Sequence, residues 1–186
     1  MITLPHTGLQ VPHDRLNVHT FAELEMPNGV AFTAKLTLDG RTAGVIANQG
    51  NGGGTYYQPE DDSPFGHREI AAFADACRTQ TGRTPNEENL LDAFIEEHAT
   101  AQEIAAAQRH GTTLVRHVHP LINDPHHGLA GETFVCQTQQ LHKTIRYATQ
   151  SERETLTRLL DTRTPCDGGI WQIWLDDAWT PLATTS

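Results

Sequence analysis

Three groups of side chains in this sequence have the types and spacing to do chemistry. The first is the run Asn48-Gln49-Gly50-Asn51-Gly52-Gly53-Gly54-Thr55-Tyr56-Tyr57. Gly50, Gly52, Gly53 and Gly54 free the backbone to take positive φ, so successive amides can turn toward an anion or a flat ligand. Asn48 and Asn51 add side-chain amides, and Tyr56 and Tyr57 could stack on a base. The run does not have the G-x-x-x-x-G-K-[ST] order of a nucleotide-phosphate loop, nor the strand-to-helix setting such a loop needs. Its plain alternative is a wide turn that ends a hairpin, with the tyrosines packed down.

The second group is histidine. Six of the eleven fall between His110 and His142. His117 and His119 lie two apart on an expected strand and so share a face. With His126 or His127 arriving from the next loop and Asp124 nearby, they could hold Zn²⁺ or a similar divalent ion. A catalytic version would leave one position for water and lower its pKa, which is hydrolase chemistry. There is no H-E-x-x-H. His142-Lys143-Thr144 is a lone H-x-T, and two-histidine phosphodiester chemistry needs an acid and a base from two such motifs. His98, four residues after Phe94 and three after Ile95, reads as a core or boundary histidine. No cofactor other than such a metal is expected.

The third group is carboxylate. Lys and Arg total 13, Asp and Glu 23, and the formal net charge is −10. Residues 59–103 carry eleven of those carboxylates against three arginines. With no basic cluster to displace phosphate counterions, direct nucleic-acid binding is not expected. Glu87, Glu88, Asp92, Glu96 and Glu97 make either a solvated face or a patch that docks on a basic partner. Trp171, Trp174 and Trp179 lie close together near the C-terminus, and Trp171 and Trp174 fall on opposite faces of a regular strand. Trp174 is the candidate interface anchor.

The elements that must position these groups are legible in part. Val30, Phe32, Ala34, Leu36 and Leu38 alternate with polar or small residues, the mark of a strand with one buried face. Asp39-Gly40 signals a two-residue turn, and Arg41 to Asn48 returns. Leu16 to Leu24 supplies a third strand, joined by Pro27-Asn28-Gly29. A first helix is expected between Ser63-Pro64 and Gly82, with Ile70, Phe73, Ala74 and Cys77 inward and Gly82 just past its end. A second begins with Thr84 as cap, Pro85 in the first position and Glu87 closing a capping box, and ends at His110-Gly111. Thr112 to Val118, Thr133 to Gln137 and Ile170 to Leu175 read as strands. Ser151 and Glu154 open a short helix. The fold class expected is α+β: an N-terminal antiparallel β-meander packed by two or three helices, with additional C-terminal strands. Residues 1–186 read as a single domain, subdivided if at all into 1–118 and 119–186. Three distant cysteines without a C-x-x-C pair point to reduced thiols.

The segment from Ala31 to Gly53 combines an aromatic-led strand, a "DG" turn, a second strand and an N-x-G-x-G-G loop. It resembles the opening of small proteins encoded by bacterial phages, prophages and plasmids. The acidic helix around Leu90 to Arg109 and the strand at Leu114-Val115-Arg116 are similar to later segments of those proteins. The resemblance implies a mobile-element context and the cytoplasm of a bacterial host, and it carries over no particular biochemical activity. The opening residues do not read as a signal peptide, and no apolar run has the length of a membrane span. The expected function is therefore that of a non-catalytic acidic accessory protein that binds a host protein or protein complex, with counter-defence as one form. The alternatives are a protein that sequesters a nucleotide-like ligand in the glycine loop, and a histidine-based metal-dependent hydrolase.

Overall fold

The computed structural model describes residues 1–120, 133–142, 149–161 and 169–182. It shows the expected α+β class, with antiparallel sheets and helices. The chain divides into two compact units, Met1–Ala101 and Gln102–Ser186.

In the first unit, strands β1 (Ile2–Thr3) and β2 (Gln10–Val11) pair with each other. The strands β3 (Leu16–Met26), β4 (Gly29–Leu38), β5 (Arg41–Gln49) and β6 (Tyr56–Pro59) form a meander in sequence order. The β4–β5 turn is as expected. Asp39 and Gly40 both take positive φ, 51° and 75°, which matches the twist of the flanking strands. Arg15 Nε holds Asp39 there, donating to Oδ1 at 2.8 Å. A bulge interrupts β3 between Val18 and Thr20. Two helices, α1 (His67–Ala76) and α2 (Glu87–Arg109), come next.

One face of the meander is dry. Leu36 and Ile46 are fully buried in a cluster with Ile70 and Cys77 near α1 and Leu90 and Leu91 from α2. Each such side chain contributes about 1.5–3 kcal/mol through loss of contact with water. Burial pushes the Cys77 thiol up to about 11, so it is an inert core group. Tyr57 also belongs to this core. Its hydroxyl lies 2.8 Å from the carbonyl oxygens of both Ala43 and Phe65, and burial raises its pKa to about 12.

The helix ends differ from expectation for tertiary reasons. α1 stops at Cys77 rather than running toward Gly82, because Arg78 exchanges both backbone hydrogen bonds with Gln10 of β2. At α2, Asn86 rather than Thr84 caps the first turn, its Oδ1 accepting from the Asn89 amide at 2.7 Å. The helix does end at Gly111, whose φ is +67°. His98 of α2 hydrogen-bonds the Val18 backbone at the β3 bulge. Desolvation nonetheless outweighs that bond and lowers the His98 pKa, and the neighbouring His19 pushes the same way.

In the second unit, β7 (Thr112–Pro120) lies between β8 (Thr133–His142) and β9 (Ile170–Leu175), with β10 (Ala178–Pro181) beyond β9. β8 is one ten-residue strand, longer than the expected Thr133 to Gln137. Helix α3 (Gln150–Asp161) opens at Thr149 and Glu152, two residues before the expected Ser151–Glu154 pair. Thr149 N donates to Glu152 Oε2 at 3.0 Å, and Glu152 N to Thr149 Oγ1 at 3.3 Å. Leu156 and Leu160 pack with Val115, Trp171, Ile173 and Leu182.

Two outcomes are expected. Tyr57→Phe leaves the Phe65 carbonyl without the hydroxyl, while Ala43 O keeps the Glu60 amide at 3.0 Å, so urea denaturation should show a loss of about 1–3 kcal/mol. His98 has a folded pKa below its unfolded value, so its contribution is fully present above about pH 6.5 and is lost as the pH falls toward the lowered value. Stability measured on either side of that range should therefore drop with acid in the wild type and drop less in His98→Gln.

Candidate functional site

Two of the groups marked in the sequence meet in the first unit, and the strand ends explain why. β5 leaves the sheet at Gln49 and β6 enters at Tyr56, so residues 50–55 must cross between neighbouring antiparallel strands. Gly50 makes the first turn at φ +66°, and a Cβ there would come within 2.5 Å of the Ala31 amide nitrogen. Asn48 then organises the loop. Its Oδ1 accepts from Gly50 N at 2.8 Å, and its Nδ2 donates to Gly53 O at 3.2 Å and Thr55 Oγ1 at 3.3 Å. Asn51 Oδ1 accepts from Gly53 N at 3.2 Å. Thr55 N donates to Glu88 Oε1 of α2 at 3.3 Å, and the Thr55 hydroxyl bonds the Asp92 carboxylate. The asparagines and the amides of Gly50, Gly53 and Thr55 are thus spent on holding the loop and fastening it to α2. At Thr55 N the acceptor is the Glu88 carboxylate.

Gly52 and Gly53 are exposed, and Gly52 has open space where a Cβ would stand. Gly54 lies against Glu88, whose Oε1 would be 2.6 Å from a Cβ there. Tyr56 is exposed and Tyr57 buried, as adjacent positions on a strand should be. Only Tyr56 is placed where a ligand in water could stack on it.

The carboxylates of α2 divide by task. Glu88 holds Thr55. Glu97 accepts from His6 N, Thr7 N and Thr7 Oγ1, at 3.1, 2.9 and 3.0 Å, and so fixes the turn between β1 and β2. Its other oxygen is 3.9 Å from His6 Nε2. Asp92 and Glu96 are exposed and Glu87 half-buried. Although Asp92 keeps surface in water, its carboxyl has its pKa raised. Lost hydration is the main cause, the Thr55 hydroxyl opposes it, and the Glu88 charge adds to it.

The second unit holds the remaining candidates. His117 is buried, with its ring 5.0 Å from that of Trp171, and a Cβ on Gly169 would strike the imidazole. His119 lies in β7 opposite Phe134. His126 and His127 fall outside the described residues, so the expected set of ligands is seen only in part. Among the described residues, no three His, Cys, Asp or Glu side chains gather closely enough to hold a metal ion. Trp174 is half-buried, and its ring meets that of Trp179 edge-on at 5.2 Å. Over Trp179, at 4.0 Å, lies the guanidinium of Arg116, whose Nε donates to Gln172 Oε1 at 2.8 Å. Trp171 Nε1 is buried without an acceptor among the described residues.

Sequence reasoning did not single out Thr55, Arg116, Gln172 or the tie from Glu97 to residues 6 and 7. A threonine beside a glycine run and an arginine inside an apolar strand are weak signals until a partner distant in sequence arrives. No protein-family model, no curated protein and no solved structure matches this chain.

The loop geometry orders two substitutions. Gly50→Ala combines a left-handed φ with a backbone clash, and should cost more than the roughly 1–2 kcal/mol of the φ alone. Gly54→Ala meets only the movable end of Glu88, and should cost less. Denaturation midpoints in the reverse order would contradict these roles for the two glycines.

Proposed function

We propose that this is a non-catalytic, acidic accessory protein of a phage or other mobile element. It acts in the cytoplasm of a bacterial host by docking on a basic surface of a host protein or protein complex. Occlusion of a defence complex's nucleic-acid-binding surface is the concrete form. The observation that supports it is the one-signed charge of α2. Glu87, Glu88, Asp92, Glu96 and Glu97 crowd its first half, and its first lysine or arginine is Arg109 in the last turn. Glu88 and Glu97 fasten the fold through backbone amides, Asp92 holds the Thr55 hydroxyl as well, and Glu87, Asp92 and Glu96 are the docking carboxylates. A cation brought to Asp92 would offset the Glu88 charge beside it, which suits a positively charged partner. No helix among the described residues is long and apolar enough to cross a membrane.

The glycine loop favours this reading over ligand sequestration, because the amides of Gly50, Gly53 and Thr55 are already bonded to Asn48, Asn51 and Glu88. Burial of His117 beneath Gly169 and Trp171 gives the hydrolase reading no support.

The test is capture from a bacterial lysate, wild type against Glu87→Lys/Asp92→Lys/Glu96→Lys. The wild type should retain a basic partner that salt releases, and the variant should lose it. Equal capture by both would mean that the α2 carboxylates are only a solvated face.

A further inference from the structure

We propose that the open edge of β3, from Thr20 to Met26, is a docking strand for an extended peptide in which basic and apolar side chains alternate. The peptide adds to the β3–β6 sheet as a fifth strand. The hairpin alone carries this inference, which uses none of the α2 carboxylates assigned to docking above.

β3 lies at the end of its sheet and pairs only with β4 among the described strands. At Val18 its backbone is tied to His98 of α2, and the bulge comes immediately after. Beyond Thr20 the strand outruns the core. Phe21 is still half-buried against Phe32, but residues 22–26 are all exposed. The β4–β5 pairing ends at Ala31, so the tip of the hairpin is a two-stranded ribbon. Such a ribbon has little to hold it in water and would ordinarily be polar. This one shows Leu24 at 65%, Met26 at 42% and Val30 at 46% exposure. Edges are normally guarded by charged side chains, lysine above all, by proline or by bulges. Between Thr20 and Met26 there is no lysine, proline or bulge, and the charged guards are Glu23 and Glu25, which repel an acidic strand and not a basic one.

The side-chain order says what fits. Alternation puts Phe21, Glu23 and Glu25 on one face and Ala22, Leu24 and Met26 on the other. An incoming strand sets its side chains about 4.5–5.5 Å from those opposite. Lysine or arginine would then face Glu23 and Glu25, and aliphatic side chains would face Leu24 and Met26. A second copy of the chain fits worse. Symmetric antiparallel pairing centred on Leu24 sets Glu23 of each copy against Glu25 of the other, and pairing centred on Glu23 sets Glu23 against itself. Like charges directly opposite are destabilising, and a net charge of −10 on each copy adds to the repulsion.

The probe is a synthetic peptide alternating lysine with valine and leucine. Its two controls carry glutamate for lysine, or N-methyl groups along one edge of the backbone. Titration with hydrogen exchange should show salt-sensitive binding of the lysine peptide and slowed exchange at residues 20–26. The N-methylated peptide should bind poorly, because strand addition needs its amides. Glu23→Lys/Glu25→Lys should lose about tenfold in affinity for the lysine peptide and gain affinity for the glutamate one. Undiminished binding of the N-methylated peptide, protection that appears on α2 instead, or self-association through β3 without affinity for the lysine peptide would each overturn the proposal. Glu87→Lys/Asp92→Lys/Glu96→Lys should keep the β3 protection, so failure of one proposal is distinguishable from failure of the other.

Discussion

Leu36 and Ile46 share one face of the β4–β5 pair, and neither keeps any surface in water. The first unit depends on what covers them. A meander has two faces, and α1 and α2 supply side chains to one. Leu90, Leu91, Phe94 and Ile95 of α2 close that layer with Ile70 and Phe73 of α1. Every other feature of the unit stems from this one-sided burial. Tyr57 points inward and must find acceptors, which Ala43 and Phe65 provide. Tyr56 points outward and stays wet. The strands that run past the covered area, β3 and the start of β4, carry their apolar side chains into water.

Because α2 must lie where its apolar stripe meets the sheet, its carboxylates are carried to fixed places. Glu88 arrives beside the loop between β5 and β6, and Glu97 beside the turn between β1 and β2. Both accept hydrogen bonds from backbone amides there. A carboxylate in such a position replaces water at groups the fold has left without strand or helix partners. The acidic run in the sequence is thus partly a set of fasteners. Asp92, beside one of those fasteners, has its pKa raised, mainly by lost hydration, with the Glu88 charge adding to it.

The second unit solves a different problem with the same means. Arg116 is nine-tenths buried in the central strand β7, and an arginine is costly there unless its charge is accommodated. Gln172 accepts from it and Trp179 offers its ring face. Trp174 supports that ring edge-on. These two half-buried tryptophans therefore accommodate the charge of Arg116.

The features legible in the sequence were those set by short-range rules. Period-two alternation marked β4, and Asp39-Gly40 marked its turn, because strand faces and positive φ are decided by adjacent residues. Gly111 marked the end of α2 for the same reason, and the α+β class came from the order of such elements. Tertiary structure decided what depended on a distant partner. Gln10 captured Arg78 and ended α1 early, although the local pattern ran on toward Gly82. Asn86 displaced Thr84 as the cap of α2. The glycine run looked like a cradle for an anion because glycine permits many paths. Whether its amides face solvent or side chains depends on Asn48, Asn51 and a glutamate more than thirty residues away. The same holds for the carboxylates of α2. Sequence could mark Glu88 and Glu97 as charged, but only the packing of α2 on the sheet brought them to the amides of Thr55, His6 and Thr7.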